Sequence, residues 1–310
     1  MSYNPTKPYK NQIRKLISST WSTPYVRVKS GIYPVIDRKK TGLEVDHTDG
    51  IGTKGFYHWR ARSFKEAVVD ALAMNLNDLA LVRAVPYKIQ NHLTLPKDDH
   101  EAILKIIRAL VMECKKMQIA MTGGETSIHD NSDSLDISIT MTGIVKESLP
   151  NKMRAGEVLI GLKSSGLHSN GFTLLRTILG LRVRPEVIKP TSIYLGKILE
   201  LNKKVKIGGM MHITGGGFTK LKDILDDADV IIDAPIRPQP IFYELSKKGI
   251  KDKDMYKTFN CGTGFVLSVR PASVETALKI TNGKAIGRVV PGNGQVKIAS
   301  AFTKNHQLVY

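Results

Sequence analysis

The chain has 310 residues, 46 Lys and Arg against 28 Asp and Glu, and a formal net charge of +18. That length exceeds what one hydrophobic core usually serves, so two domains are expected; 42% apolar and 24% charged residues exclude disordered, collagen-like and simple coiled-coil chains. Two distant cysteines, Cys114 and Cys261, build neither a disulfide framework nor a cysteine metal site, no apolar leader follows Met1, and no apolar run approaches the roughly 18 residues that span a bilayer, so a soluble cytoplasmic protein is expected.

The charge is uneven. Residues 1–40 carry nine basic side chains, Lys7 among them, and one acid; residues 41–150 carry 12 basic and 15 acidic; residues 151–310 carry 25 basic and 12 acidic. This reads as a basic N-terminal arm (1–40), a slightly acidic first domain (41–150) and a basic second domain (151–310), divided near Ser148-Leu149-Pro150-Asn151-Lys152. An acidic first domain suits divalent metal ions better than nucleic acid.

In chain order, Asp46-His47-Thr48-Asp49-Gly50-Ile51-Gly52-Thr53-Lys54-Gly55 comes first. Gly50, Gly52 and Gly55 satisfy G-x-G-x-x-G, but a dinucleotide fingerprint needs a helix opening directly on those glycines, and the helix signal starts only near Ser63. The Walker pattern is absent. What remains is either a glycine turn or a loop that holds a phosphate with a metal ion, its N–H groups and Lys54 toward the anion and Asp49 toward the cation. A helix is expected over 63–82, where Ser63 and Glu66 make a capping-box pattern. Inside it, Asn75-Leu76-Asn77-Asp78 interrupts an apolar run, and such polar residues need partners or a metal unless they cap a helix end.

A second helix is expected over 99–117, where Ile103, Ile106, Ile107, Leu110, Val111, Cys114 and Met117 form one apolar stripe behind Asp98 and Asp99. A strand over 118–122 leads into Thr122-Gly123-Gly124-Glu125-Thr126, where Glu125 at a strand's carboxyl end is placed to hold a metal. The alternation of Leu135, Ile137, Ile139 and Met141 with Asp136, Ser138 and Thr140 predicts a half-buried strand. Strands are also expected over 157–162, 230–233 and 264–269. The alternation of helices and strands makes the class α/β or α+β.

Three more loops complete the set. Ser164-Ser165-Gly166-Leu167-His168-Ser169-Asn170-Gly171 runs from a strand into a helix, an arrangement that binds anions, with His168 as acid, base or donor. His212-Ile213-Thr214-Gly215-Gly216-Gly217 again opens glycines onto a helix. Thr258-Phe259-Asn260-Cys261-Gly262-Thr263-Gly264 allows close backbone approach, and Asn260 can read a ligand; Cys261 has no base nearby in sequence and reads as packing.

These pieces, in this order, resemble the aminoimidazole ribonucleotide synthetase family, also called phosphoribosylformylglycinamidine cyclo-ligases, from about residue 45 to about 290. The first three are shared with thiamine-phosphate kinase and other members of the wider superfamily; the last three point to the cyclo-ligase. The resemblance implies two α/β domains and a homodimer whose N-terminal-domain strands form a central barrel. It implies ATP and Mg²⁺ as cofactors and a small ribonucleotide as substrate. ATP would contact Gly50, Gly52, Thr53, Lys54, Asn77, Asp78, Gly123 and Gly124, and Asp49, Asp78 and Glu125 would hold Mg²⁺. The substrate would lie on Ser164, Ser165, Gly166, His168, Ser169, Asn170, Thr214, Gly215, Gly216, Gly217 and Asn260, with Asp49, Lys54 and His168 catalytic. The expected reaction converts formylglycinamidine ribonucleotide and ATP to aminoimidazole ribonucleotide, ADP and phosphate, by phosphorylation of the formyl oxygen and ring closure.

The chain departs from the family at 31–37, 83–96 and 127–134, which leaves room for another ATP-using activity of the thiamine-phosphate kinase kind. A nucleic-acid-binding role for the basic arm is the rival from a different class. Only 6% aromatic residues, scattered rather than striped charge, and the absence of a known motif argue against it.

Overall fold

The computed structural model describes residues 9–30, 33–304 and 306–310; Met1–Pro5 and Lys7 of the expected arm, and Gly31 and Ile32 of the divergent 31–37 segment, lie outside the described residues. The chain divides into two units, one of residues up to Asn75 with Ala84–Lys146, the other of Leu76–Arg83 with Glu147–Tyr310.

The first unit holds helix α1 (Lys10–Ser18), the hairpin β1 (Val26–Lys29) and β2 (Val35–Arg38), then β3 (Leu43–Gly50), α2 (Gly55–Ala61), α3 (Phe64–Leu81), β4 (Val85–Leu95), α4 (His100–Met117), β5 (Ala120–Ile128) and β6 (Asp136–Val145). The last residues of α3, from Leu76, count with the second unit. Residues 10–38 are not a loose arm. Val26 and Val28 pack with Tyr87, Ala120 and Ile144, Trp21 Nε1 donates to the Met121 carbonyl at 2.8 Å, and the Met121 N–H donates to Thr20 Oγ1 at 2.9 Å.

Helix α4 starts where Asp99 places its carboxylate on the Ala102 N–H, 3.0 Å away, and buries the apolar stripe as far as Cys114, with Met117 half-buried. Ser63 does not form the expected capping box with its side chain: its Oγ lies 2.8 Å from His58 Nδ1. Strands β3, β6, β4 and β5 form one sheet in that order, with β4 and β5 parallel and the other pairs antiparallel. Ile137, Ile139 and Met141 of β6 are buried on one face, while Ser138 and Thr140 share the other with Gln90 and His92 of β4.

The second unit contains β7 (Val158–Lys163), α5 (Phe172–Leu179), α6 (Pro185–Ile188), α7 (Leu195–Asn202), β8 (Ile207–His212), β9 (Ala228–Ile232), α8 (Pro240–Lys247), α9 (Asp252–Thr258), β10 (Thr263–Val269), α10 (Val274–Thr281), β11 (Lys284–Pro291), β12 (Val296–Ala299) and β13 (Gln307–Val309). Its seven strands run in the order β13-β12-β9-β11-β7-β10-β8, antiparallel except for β12 beside β9. All of β8 and all of β10 is buried, as fits strands covered on both faces. Because β7 and β8 each run antiparallel to β10, the ends of β7 and β8 and the start of β10 lie at one end of the sheet. Among the described residues, no helix is long and apolar enough to cross a membrane.

Candidate functional site

In the first unit the expected phosphate loop is mostly regular structure. Asp49 and Gly50 end strand β3, Gly52–Lys54 form one 3-10 turn, and α2 opens directly at Gly55. A helix does therefore follow the glycines at once. The dinucleotide reading still fails, because β3 is an edge strand whose one partner, β6, is antiparallel, where a Rossmann unit needs a parallel neighbour. Gly52 is exposed at φ 53, with open space where a Cβ would be. The Asp49 carboxylate is partly exposed and accepts the Gly50 N–H at 2.7 Å. Behind it, Asn75 donates to the Asp49 carbonyl at 3.1 Å and lies 3.0 Å from His47 Nδ1, so this buried helical amide anchors the end of β3.

Lys54 corrects an expectation. Its side chain is fully buried and Nζ sits 2.7 Å from Asp70 Oδ2, itself 2.8 Å from His58 Nε2. A lysine committed to a buried carboxylate is a structural ion pair rather than a phosphate ligand, since burying either charge alone is costly. Burial on its own would raise the Asp70 carboxyl, but the Lys54 charge and the His58 hydrogen bond pull it down to about 2. Burial draws Lys54 downward against the opposing pull of Asp70.

Gly123, Gly124 and Glu125 do not form a loop. They lie inside β5, paired in parallel with Gln90, Asn91 and His92 of β4. Gly124 is required there, because a Cβ would fall 2.6 Å from Asn91 Oδ1 and 2.7 Å from the Asn91 carbonyl. The register also separates the expected metal ligands. Asp49 aligns with Ile139, Asn91 and Gly124, whereas Glu125 aligns with His92 and Ser138 on the opposite face. Strands β3 and β5 are the two edges of the sheet, about 14 Å apart at ordinary strand spacing. Glu125 and Asp49 of one chain therefore do not share an ion. A cleft of about 610 Å³ covers the polar face, lined by Gln90, Asn91, His92, Gly123, Gly124 and Glu125 among others. Asn91 is buried beside it, and its Oδ1 has no hydrogen-bond partner among the described residues.

In the second unit, Asn77 is fully buried and its amide is spent on structure. It donates to the Ser192 carbonyl at 2.9 Å, contacts His212 Nε2 at 3.2 Å and accepts the Tyr194 N–H at 2.8 Å. That corrects its assignment to ATP. With His212 Nε2 facing the Asn77 amide donor, the ring proton belongs on Nδ1, which lies 2.9 Å from Asp78 Oδ1. His212 thus orients the partly exposed Asp78 carboxylate.

The three glycine-bearing loops converge at the sheet end where β7 and β8 finish and β10 begins, and they bind one another. Ser164 N–H donates to the Gly262 carbonyl, Asn260 Nδ2 donates to the Gly166 carbonyl at 2.8 Å, and Ile213 N–H donates to the Gly264 carbonyl. Several expected substrate ligands are the struts of this arrangement. His168 is fully buried at φ 61, and its Nε2 accepts the Ser165 N–H at 3.1 Å, so it is shielded from a ligand and corrects the catalytic assignment. Asn260 holds both the Gly166 carbonyl and the Gly262 N–H, Ser165 Oγ donates to the Pro190 carbonyl, and Ser164 Oγ faces Gln239. These three support the loops instead of reading a ligand.

What remains open is a smaller set. Gly215 and Gly216 are exposed, and their N–H groups make no hydrogen bond among the described residues. Asn170 sits against Gly215, and its buried Nδ2 has no partner among the described residues. Lys220 lies over Gly216 with Nζ 3.4 Å from Thr214 Oγ1. Ser169 lies beside them, its Oγ 3.0 Å from Thr191 Oγ1. Amide donors, free backbone N–H groups and a cation around one spot make an anion cradle. Sequence reasoning missed Lys220, although its place four residues after Gly216 on a glycine-opened turn signals it. It also missed Tyr194, whose hydroxyl donates to the Lys163 carbonyl at the end of β7; no local pattern marks that residue.

Two family models match this chain. Residues 35–145 match the AIR synthase related protein N-terminal domain, and residues 154–299 match the AIR synthase related protein C-terminal domain. A phosphoribosylformylglycinamidine cyclo-ligase of Saccharolobus solfataricus is 35% identical over 298 residues, covering 92% of this chain and 90% of that protein. The Methanocaldococcus jannaschii protein of the same name is 34% identical over 83% of this chain and 82% of its own length. Among solved structures, the hydrogenase maturation protein HypE in complex with ATP superposes with a TM-score of 0.73 at 15% identity, over 99% of this chain and 95% of that one. Thiamine-monophosphate kinase from Stenotrophomonas maltophilia superposes with a TM-score of 0.66 at 18% identity, over 96% and 97%. Likeness at that identity speaks to the fold alone.

Proposed function

The chain belongs to the AIR synthase related family, and from that membership we propose that it is an ATP-dependent cyclo-ligase that closes the imidazole ring of aminoimidazole ribonucleotide in purine synthesis. The formyl oxygen of formylglycinamidine ribonucleotide attacks the γ-phosphorus of ATP and ADP leaves. The amidine nitrogen then attacks the activated carbon, phosphate departs with the former formyl oxygen, and loss of a proton gives the aromatic ring.

One structural observation carries the substrate half of this reading. The cradle of Asn170, Gly215, Gly216 and Lys220 offers an unpartnered amide donor, two free N–H groups and one cation, the complement of a ribonucleotide 5′-phosphate. Ser169 and Thr214 at its rim complete the polar lining. His168, Asn260, Ser164 and Ser165 act by holding the cradle's loops in place.

ATP belongs to the first unit in this reading. Exposed Gly52, with the neighbouring Gly50 and Thr53, leaves room for phosphate oxygens to approach the turn, and Gly123 and Gly124 line the cleft over the polar face of the sheet. Asp49 is the proposed Mg²⁺ ligand of this unit, a hard oxygen donor of the right type. Magnesium, when bound, would neutralise charge on the transferred phosphoryl group. A homodimer is proposed as well: the four-stranded sheet leaves both β3 and β5 as edges, and a barrel shared between two chains would close them.

Purified protein incubated with ATP, Mg²⁺ and formylglycinamidine ribonucleotide should release ADP and aminoimidazole ribonucleotide in equal amounts. ADP formed with thiamine monophosphate as acceptor, and none with the ribonucleotide, would overturn the assignment in favour of the kinase.

A further inference from the structure

At the opposite end of β7, about 20 Å from the anion cradle at ordinary strand rise, two clefts of the second unit share a basic wall. One, of about 400 Å³, is lined by Arg154, Gly156, Glu157, Lys206, Gly208 and Arg270; the other, of about 550 Å³, by Leu149, Pro150, Arg154, Lys203, Lys204 and Lys206 among others. Among the described residues, none of the side chains of Arg154, Lys203, Lys204, Lys206 and Arg270 has an ion pair or hydrogen bond. The Glu157 carboxylate in the first cleft accepts from Ser268 Oγ at 2.7 Å and the Arg154 N–H at 3.0 Å and forms no ion pair with them, so it offsets one of these five charges. The other acid at the clefts is the exposed Glu147.

A second observation points the same way. Arg83 is 7% exposed, yet it faces no carboxylate among the described residues. Its Nε donates to Asn202 Oδ1 and its Nη2 to the Ile207 carbonyl, both residues of the second cleft, and its Nη1 has no partner among the described residues. A buried guanidinium without a counter-charge is costly unless something supplies the anion. No aromatic side chain lines either cleft, so neither offers the stacking platform of a single-strand binder. The second cleft instead has a small apolar wall of Leu149, Pro150, Val205 and Ile207 beside its cations.

We propose that these joined clefts bind a polyphosphate chain, the phosphates along Arg154, Lys206 and Arg270 and a nucleoside against the Leu149–Pro150 wall, as a ligand site separate from catalysis. The proposal also gives a use to part of the +18 charge, which one substrate phosphate does not explain.

The test is equilibrium dialysis of the full chain with labelled inorganic tripolyphosphate and with labelled GTP, comparing the wild type with the Arg154→Glu/Lys206→Glu double variant. Binding in the wild type should weaken by at least about tenfold per lost phosphate contact in the variant, with kcat for ring closure unchanged. GTP should bind more tightly than tripolyphosphate; equal affinity would overturn the placement of a nucleoside against the Leu149–Pro150 wall. Tripolyphosphate should also raise the wild-type melting temperature and leave a folded variant's unchanged. Absence of binding, binding indifferent to the two reversals, or a clear preference for a single-stranded oligonucleotide would overturn the proposal.

Discussion

Lys54 Nζ sits 2.7 Å from Asp70 Oδ2, with both side chains sealed from solvent. The pair ties the turn after β3 to helix α3, and the family motif's lysine is thereby structural. Lys54→Met should lose about 3–5 kcal/mol, because it leaves the buried Asp70 carboxylate without its cation and facing His58, whereas Lys54→Met/Asp70→Leu should recover most of the loss. Urea unfolding of both variants and the wild type checks this. Additive losses would return Lys54 to the phosphate site.

The same pair sets an acid limit. The folded-state carboxyl of Asp70 lies at about 2, below its ordinary 3.8, so the unfolded chain binds that proton more tightly. Its contribution to stability is full above the unfolded value and is lost as pH falls from there through about 2. Acid unfolding followed by circular dichroism should show this component in the wild type, and the Lys54→Met/Asp70→Leu variant should lack it.

The cradle predicts a split in kinetic constants. Lys220→Ala should raise KM for the ribonucleotide about tenfold or more while changing kcat little, because a phosphate remote from the reacting carbon is bound equally in ground and transition states. Asn170→Ala should act in the same direction. Unchanged KM in both variants would place the substrate phosphate elsewhere.

Gly264 allows two buried side chains to meet. A Cβ there would lie 2.1 Å from Tyr194 Oη and 2.5 Å from His168 Cε1. Gly264→Ala should cost about 1–3 kcal/mol by overpacking, and adding Tyr194→Phe should regain part of it by removing the hydroxyl. Denaturant midpoints of the two variants read the coupling.

What the chain revealed in advance follows from the range of the forces involved. Helix α4 and strand β6 were legible because their burial is written as local periodicity, and Asp99 caps α4 through a bond spanning three residues. Strand β4 was overlooked: Tyr87, Ile89, Leu93 and Leu95 alternate with Lys88, Gln90, His92 and Thr94, but Asn91 breaks the apolar phase and Pro86 stands at the start, and the strand is held by β5 and β6 pairing with it on both sides. The same pairing turned Gly123–Glu125 from an expected loop into strand. In the site, the glycines and loop positions were readable, but the roles of their side chains were not. Asn77 was read as a nucleotide ligand because its true partners, Ser192, Tyr194 and His212, lie more than a hundred residues away. His168 and Asn260 were read as substrate contacts because nothing in the local pattern shows that they are spent on backbone groups, His168 on the Ser165 N–H within its own loop and Asn260 on the Gly166 carbonyl 94 residues away. Lys220 went unread although its place four residues after Gly216 marks it; the fold brings it over Gly216 and beside Thr214.

The most direct measurement is the fate of the formyl oxygen. Substrate labelled with oxygen-18 at that atom, turned over with ATP and Mg²⁺, should yield inorganic phosphate carrying the label in step with aminoimidazole ribonucleotide. Unlabelled phosphate would show that ATP is hydrolysed by water and would contradict ring closure through a phosphorylated formyl group.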